Sequence, residues 1–271
     1  MPRSIPARLT LGRLVLLAAL GAVVATGLGP LASPAPVHAS TADTMEAKLL
    51  SWINDARARR GLLPLRPLRG LVDLAGDRAA SMASSGKMEH ASCLSCLLNN
   101  RGIQWYMNGE VIAWTSYPWG DQAAQSIFNG WKGSSYHWSL LMSSRTNYIG
   151  LGVAYRSSNR TTYAAGVLTE SRDYTGPWAR MGSGSRKGTS ATWSWNGADT
   201  RLQTHTAGFK NFDVQFRVGT GTWTTIRSGT TSTSLSRSGL AGGRYYGVRV
   251  RSRDNRGYVS GWTAELRVWV P

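Results

Sequence analysis

Few side chains in this 271-residue sequence can carry acid–base, nucleophilic or metal chemistry. There are four histidines, His38, His90, His137 and His205, and two cysteines, Cys93 and Cys96. His90 closes the run SSGKMEH, Glu110 sits in Gly109-Glu110-Val111-Ile112-Ala113, and His137 closes WKGSSYH. Two neutral imidazoles and a carboxylate can serve as three ligands to zinc or another divalent metal, with a fourth position left for water. Such a water becomes a nucleophile near neutral pH. Alternatively Glu110 stays unbound and works as a base, with His137 beside it. A third reading is a hydrogen-bonded polar cluster that braces the floor of a cleft. No HExxH, no serine elbow G-x-S-x-G and no phosphate loop is present. In an exported chain, Cys93-x-x-Cys96 reads as a short disulfide. It is not a haem attachment, because no His follows Cys96. Metal ligation and free thiols are the alternatives.

The elements that must position these residues can be read from periodicity. Met45, Leu49, Trp52, Ile53 and Ala56 recur at helical spacing, and Gly61 follows as a stop. A second helix is expected over 68–84, with Leu71, Leu74, Ala75, Ala79 and Met82 on one stripe and Gly86 closing it. A third is expected over 122–131. The runs YIGLGVAY and TTYAAGVL then read as a hairpin around a polar turn. Helices first and a hairpin last predict an α+β domain layered as α/β/α over 43–173. The stretch TGPWARMGSGSRKGT reads as a loose connection, so residues 174–189 are expected to be a linker. From 190 to 271 alternating Trp, Phe and Val with frequent Gly turns predict a small all-β sandwich of about seven strands.

The N-terminus reads as a signal peptide over 1–39. Arg3, Arg8 and Arg13 precede an apolar run over 14–28, and Val37-His38-Ala39 offers a cleavage site. If that segment stays attached it is a membrane anchor instead; no second apolar run of this kind follows. The whole chain has 31 Lys and Arg against 14 Asp and Glu; removing the three arginines leaves 28 against 14, a net of +14. A secreted chain so basic is drawn to anionic partners such as cell-wall or extracellular polymers or anionic lipid. No signature of a nucleic-acid-binding module is visible.

The order of the motifs resembles the CAP superfamily (cysteine-rich secretory proteins, antigen 5 and pathogenesis-related proteins) in its bacterial form. LLSWINDAR is similar to the family's opening helix, His90 to its first histidine, and Gly109 to Ala113 to its GEN-I-A segment. Trp131 to His137 is similar to W-x-x-S-x-x-H, and Ile149 to Gly152 to the I-G-x-G strand. The resemblance implies an α/β/α sandwich whose cleft is lined by His90, Glu110 and His137, with Ser134 where many members carry a second glutamate. Val111, Trp138 and Leu140 depart from it, standing where polar residues are usual. A thinned polar shell argues against tight metal binding. Trp105, Tyr106, Trp114, Tyr117 and Trp119 flank Glu110 and either pack the core or wall a site for an apolar or sugar-like ligand. Sterol and lipid binding in the family favours the apolar version.

The C-terminal part resembles a fibronectin type III module. Leu240 lies six residues before Tyr246, which begins the alternation Tyr246, Val248, Val250, and Trp193 or Trp195 stands for the early core tryptophan. If those three point inward, Arg249, Arg251 and Arg253 point outward. With Val214, Phe216 and Val218 inward on the neighbouring strand, Arg217 joins them in one basic face. The expectation is therefore a secreted protein whose His/Glu cleft binds a divalent metal or an apolar ligand and whose basic β-face holds anionic envelope material. The rival is an exported metal-dependent hydrolase, a peptidase or a wall-remodelling enzyme.

Overall fold

Helix α1 (Thr41–Ala58) begins with a capping box: the Ser40 hydroxyl accepts from the Asp43 N–H, and the Asp43 carboxylate accepts from the Ser40 N–H. The computed structural model describes residues 40–271, so the expected signal segment lies outside the described residues. In α1 the expected stripe of Met45, Leu49, Ile53 and Ala56 is buried. Arg57 is buried with it and, among the described residues, pairs with no carboxylate. Its guanidinium donates to the carbonyls of Leu63, Leu141 and Ser143. Burial brings its pKa down to about 10, so it remains charged at neutral pH. Asn54 grips both the N–H and the carbonyl of Leu65. The polar positions of LLSWINDAR therefore fasten α1 to two loops.

The first sheet has the order β1-β3-β4-β2, with β1 (Arg66–Pro67) parallel to β3 and the other pairs antiparallel. Its long strands are β2 (Met107–Thr115), β3 (Tyr148–Arg156) and β4 (Thr161–Glu170). Alternation gives each face its own core. Val111, Ile149, Leu151, Val153 and Leu168 pack with α1 and with Ile127 and Trp131 of α4 (Asp121–Gly133). On the other face Ile112, Tyr163, Ala165 and Val167 meet the apolar stripe of α2 (Arg69–Ser85), which ends at Gly86 in the left-handed region. The first domain is the expected α/β/α sandwich. Two short helices were not anticipated: α3 (Leu94–Asn100) and α5 (Ser135–Leu141). The I-G-x-G motif has a packing cause. A Cβ on Gly150 or Gly152 would run into the α2 backbone at Leu71 and Ala75, so only glycine lets this helix lie so close on β3.

The second domain is the expected β-sandwich. One sheet has the order β5-β6-β9, the other β11-β10-β7-β8. The strands are β5 (Trp178–Lys187), β6 (Ser190–Ala198), β7 (Phe209–Val218), β8 (Thr224–Thr230), β9 (Ser234–Arg237), β10 (Arg244–Asp254) and β11 (Leu266–Val270). Trp193, Trp195, Phe212, Val214, Phe216, Val248 and Val250 form the core between the sheets. Tyr246 donates its hydroxyl to the Ala241 carbonyl at 2.9 Å, the corner expected of it. Val218, expected inside, is exposed at the end of β7.

The expected linker over 174–189 needs correction, because most of it is strand β5, paired antiparallel to β6. Its Gly/Ser texture belongs to a solvated edge strand whose glycines admit neighbours. A Cβ on Gly182 would meet Ser194, and one on Gly184 would meet Val268. Nor are the two domains loosely strung. The 199–208 segment between β6 and β7 docks on the first domain and places Leu202 in a core with Leu71, Leu74, Tyr148 and Val167. Around that peg Gln203 accepts from the Leu63 N–H, Asn147 donates to the Thr204 carbonyl, and Asp173 accepts from the Ala207 N–H. His205, in the left-handed region, reaches Glu170 at 2.9 Å.

Candidate functional site

The cleft forms at the outer edge of β2, where the loop after α2 and helix α5 meet. His90, Glu110 and His137 do converge there. The rings of His90 and His137 lie 6.1 Å apart between centroids. His90 Nδ1 is 2.9 Å from Glu110 Oε2, which also accepts the Ala91 N–H at 2.9 Å. The other oxygen, Oε1, accepts from Arg78 Nε at 2.8 Å. Glu110 is buried, and the Arg78 head is nearly so. Partial burial, reinforced by the neighbouring His90, holds His137 below the usual histidine range. The His137 imidazole is thus biased toward its neutral form.

Ser134 is not in the cleft's ligand set. It caps α5, with its hydroxyl accepting from the His137 N–H, and so orients the helix that carries His137. Cys93 and Cys96 form a disulfide at the first turn of α3, beside His90. Val111 is core, and Leu140 lies over Gly109, where a Cβ would come within 2.5 Å of it. A pocket of about 340 Å³ opens beside His90 and Glu110 and includes Asn108 and the exposed Tyr136. Of the five aromatics flanking Glu110 in sequence, none lines it. Trp105 donates to Asn99, Tyr106 packs on His205, and Trp119 packs on Tyr155. Trp114 and Tyr117 are exposed elsewhere. An apolar crevice does exist between α1, β1 and α2, lined by Leu50, Val72, Ile149 and Leu151, but it holds only about 190 Å³. That is below the range of about 300–1,000 Å³ usual for ligand sites.

The donor set does not fit a three-ligand metal centre. Both carboxylate oxygens of Glu110 are engaged, one by a guanidinium that already supplies the positive charge a metal would bring. Among the described residues no three His, Cys, Asp or Glu side chains group as metal ligands. A carboxylate so engaged is also a poor base. Arg78 is the residue sequence reasoning missed, and a signal existed. It falls on the α2 stripe between Ala75 and Met82, and a cation on a buried stripe requires a buried acid.

The expected basic face of the second domain also assembles, in a form that charge counting did not foresee. Arg217, Arg249, Arg251 and Arg253 lie side by side on β7 and β10 and are each half-buried. Arg217 stacks over Trp223 at 4.5 Å, Arg249 lies between Trp223 and Trp262 at 4.3 and 5.1 Å, and Arg251 stacks over Trp262 at 4.7 Å. Acids are interleaved with this ladder. Glu265 pairs bidentately with Arg217 and also with Arg267. Asp213 takes Arg251 at 2.9 Å and lies 3.8 Å from Arg253, and Gln215 accepts two bonds from Arg249.

Residues 50–168 match the sequence model of the Cysteine-rich secretory protein family, CAP. No curated protein matches the chain. Among solved structures, the chain is similar to a cysteine-rich secretory protein from Staphylococcus aureus, at 19% identity and a TM-score of 0.39, over 48% of this chain and 39% of that one. It therefore spans about two fifths of that protein's length. An outer surface protein from Borrelia burgdorferi is similar at 17% identity and a TM-score of 0.43, over 49% of this chain and 97% of that one. A fibronectin type III-like protein from Clostridium thermocellum is similar at 26% identity and a TM-score of 0.23, over 31% of this chain and 79% of that one. With the motif order, the layering and the strand order described above, residues 50–168 are a CAP domain, and a fibronectin type III-like β-sandwich follows it.

Proposed function

We propose that this chain is an exported binding protein whose CAP cleft recognises a small polar ligand without turning it over. One observation carries the reading: every oxygen of the Glu110 carboxylate is already taken by Arg78, His90 and the Ala91 N–H. What remains at the surface is an imidazole edge, the Asn108 amide, whose nitrogen makes one long bond to the Ser95 hydroxyl at 3.4 Å, and the exposed Tyr136 ring around a pocket of about 340 Å³. An aromatic platform beside a few polar groups suits a sugar-like ligand, which stacks its apolar face and hydrogen-bonds its hydroxyls. Export is supported by the basic and apolar N-terminal run and by the disulfide. The names of two similar structures, one a secretory protein and one an outer surface protein, point the same way.

The test pairs calorimetry with an activity assay. A soluble disaccharide-peptide fragment of peptidoglycan is titrated into the wild type, Tyr136→Ala and His90→Ala, with and without EDTA, and its integrity is followed afterwards. The expected result is binding weakened about tenfold in both variants, unaffected by EDTA, with the fragment intact. Zinc heats that vanish in His90→Ala/His137→Ala would favour a metal site. Cleavage abolished by EDTA and by Glu110→Gln would replace the proposal with the hydrolase.

A further inference from the structure

Beyond the cleft, a second pocket opens on the opposite side of α5, where the C-terminal ends of α1 and α4 come together. It holds about 370 Å³ and is lined by Ala56, Arg59, Arg60, Phe128, Lys132 and Trp138. Arg59, Arg60 and Lys132 are exposed, and among the described residues none of the three makes an ion pair. Asp55, one turn before Arg59, is the nearest acid along α1, and the two are not within ion-pair distance. The Arg60 guanidinium is held 5.0 Å above the Trp138 ring, and Trp138 in turn meets Phe128 edge to face at 6.0 Å.

We infer that this pocket is an anion site for a phosphate-bearing polymer, with Arg59, Arg60 and Lys132 around the phosphate and Trp138 beside the carbon skeleton of the repeat. The competing explanation is that the cations only complement the negative ends of two helices. One cation at each end meets that need. It does not account for three cations around one concavity without a carboxylate among them. Two guanidinium forks and an ammonium surround more of an anion than a planar carboxylate presents, whereas the two charged oxygens of a phosphodiester, with its ester oxygens beside them, are set tetrahedrally and can be met from three sides. Trp138 also acquires a reason. It stands where the family pattern usually has a polar residue, and here it fixes a guanidinium at the pocket edge. A membrane surface suits the site less well. Phe128 is buried and Trp138 half-buried, so the pocket has no exposed apolar side chain to enter a bilayer.

The experiment uses the chain from residue 40 onward and a short poly(glycerol phosphate) as probe. Binding is measured at low and high salt for the wild type, Arg59→Gln/Lys132→Gln and Arg249→Gln/Arg253→Gln. The first double variant keeps the Arg60–Trp138 contact, and matched melting curves establish that it folds. The expected outcome is affinity for the polymer lowered about tenfold by Arg59→Gln/Lys132→Gln, and much less by the ladder variant. Equal losses in both variants would overturn the assignment, because net charge alone would then explain binding. Phosphatidylglycerol vesicles form the second arm. Vesicle binding that depends on Arg59 and Lys132, without polymer binding, would overturn the polymer in favour of a membrane. Because Tyr136 and His90 lie outside this pocket, their variants leave polymer binding unchanged even if the cleft proposal fails.

Discussion

Two basic clusters in this molecule face solvent beside tryptophan, and they differ most in whether their charges have partners. On the second domain, Arg217, Arg249, Arg251 and Arg253 are threaded by Glu265, Asp213 and Gln215. On the first, Arg59, Arg60 and Lys132 surround a hollow and have no acid between them. The ladder resembles a structural seam: its charges are consumed internally, and the stacked rings hold β7, β10 and the approach to β11 together. The pocket leaves its charge unanswered. A basic residue count therefore locates an anion surface less well than the question of which cations already have partners.

The sharpest break of this comparison is Trp262→Ala. It removes the ring shared by Arg249 and Arg251, and it should cost about 2 kcal/mol, read as a lower midpoint in urea denaturation. A midpoint unchanged from wild type would mean the ladder holds nothing together. Acid gives a smaller effect that separates the clusters. The Arg217 hydrogen bond, aided by Arg267 and opposed by partial burial, holds the Glu265 carboxyl below its ordinary range. Burial works to raise Asp213, and the bonds from Ser228 and Arg251 overcome it, so it too is held low. Carboxyls depressed in the folded state stabilise above their unfolded values of about 3.9–4.3, and that contribution is lost as pH falls through the folded ones. Melting temperature should therefore drop below about pH 4, and Glu265→Gln should flatten part of the drop. The pocket has no carboxylate to contribute to this limb. The smallest expected effect is on stability from Arg59→Gln/Lys132→Gln, within about 0.5 kcal/mol by the same denaturation assay. A larger loss would show that the pocket cations are structural after all.

Much of the fold was legible because its signals are periodic. The α1 and α2 stripes, the Tyr148–Arg156 and Thr161–Glu170 hairpin and the alternation around Tyr246 all follow from which face must leave water. The same alternation placed all four ladder arginines outward. What it could not supply were the partners, since Glu265 and Asp213 reach the ladder from β11's approach and from β7. In the candidate site, His90, Glu110 and His137 were found by motif order and do meet. Their readiness for chemistry was not visible, because it turns on Arg78, 32 residues upstream of Glu110. Helices α3 and α5 are seven residues each, too short for a period to show. Strand β5 was missed because an exposed edge rich in glycine and serine has the composition of a linker. Leu202, alone among polar neighbours, gave no sign that it completes another domain's core.

That leucine bears on how such a protein can have been assembled and rearranged over evolutionary time. Domains joined by a string are freely exchanged, since each brings its whole interior with it. Here the CAP domain's interior is finished by a residue encoded some thirty positions after its family pattern ends. A recombination event at any point between them would deliver a CAP domain with a hole beside Leu71 and Tyr148, and a β-sandwich with a bare leucine on its surface. By that packing the two domains are expected to travel as a unit, with substitutions at 202 and at its seat changing together.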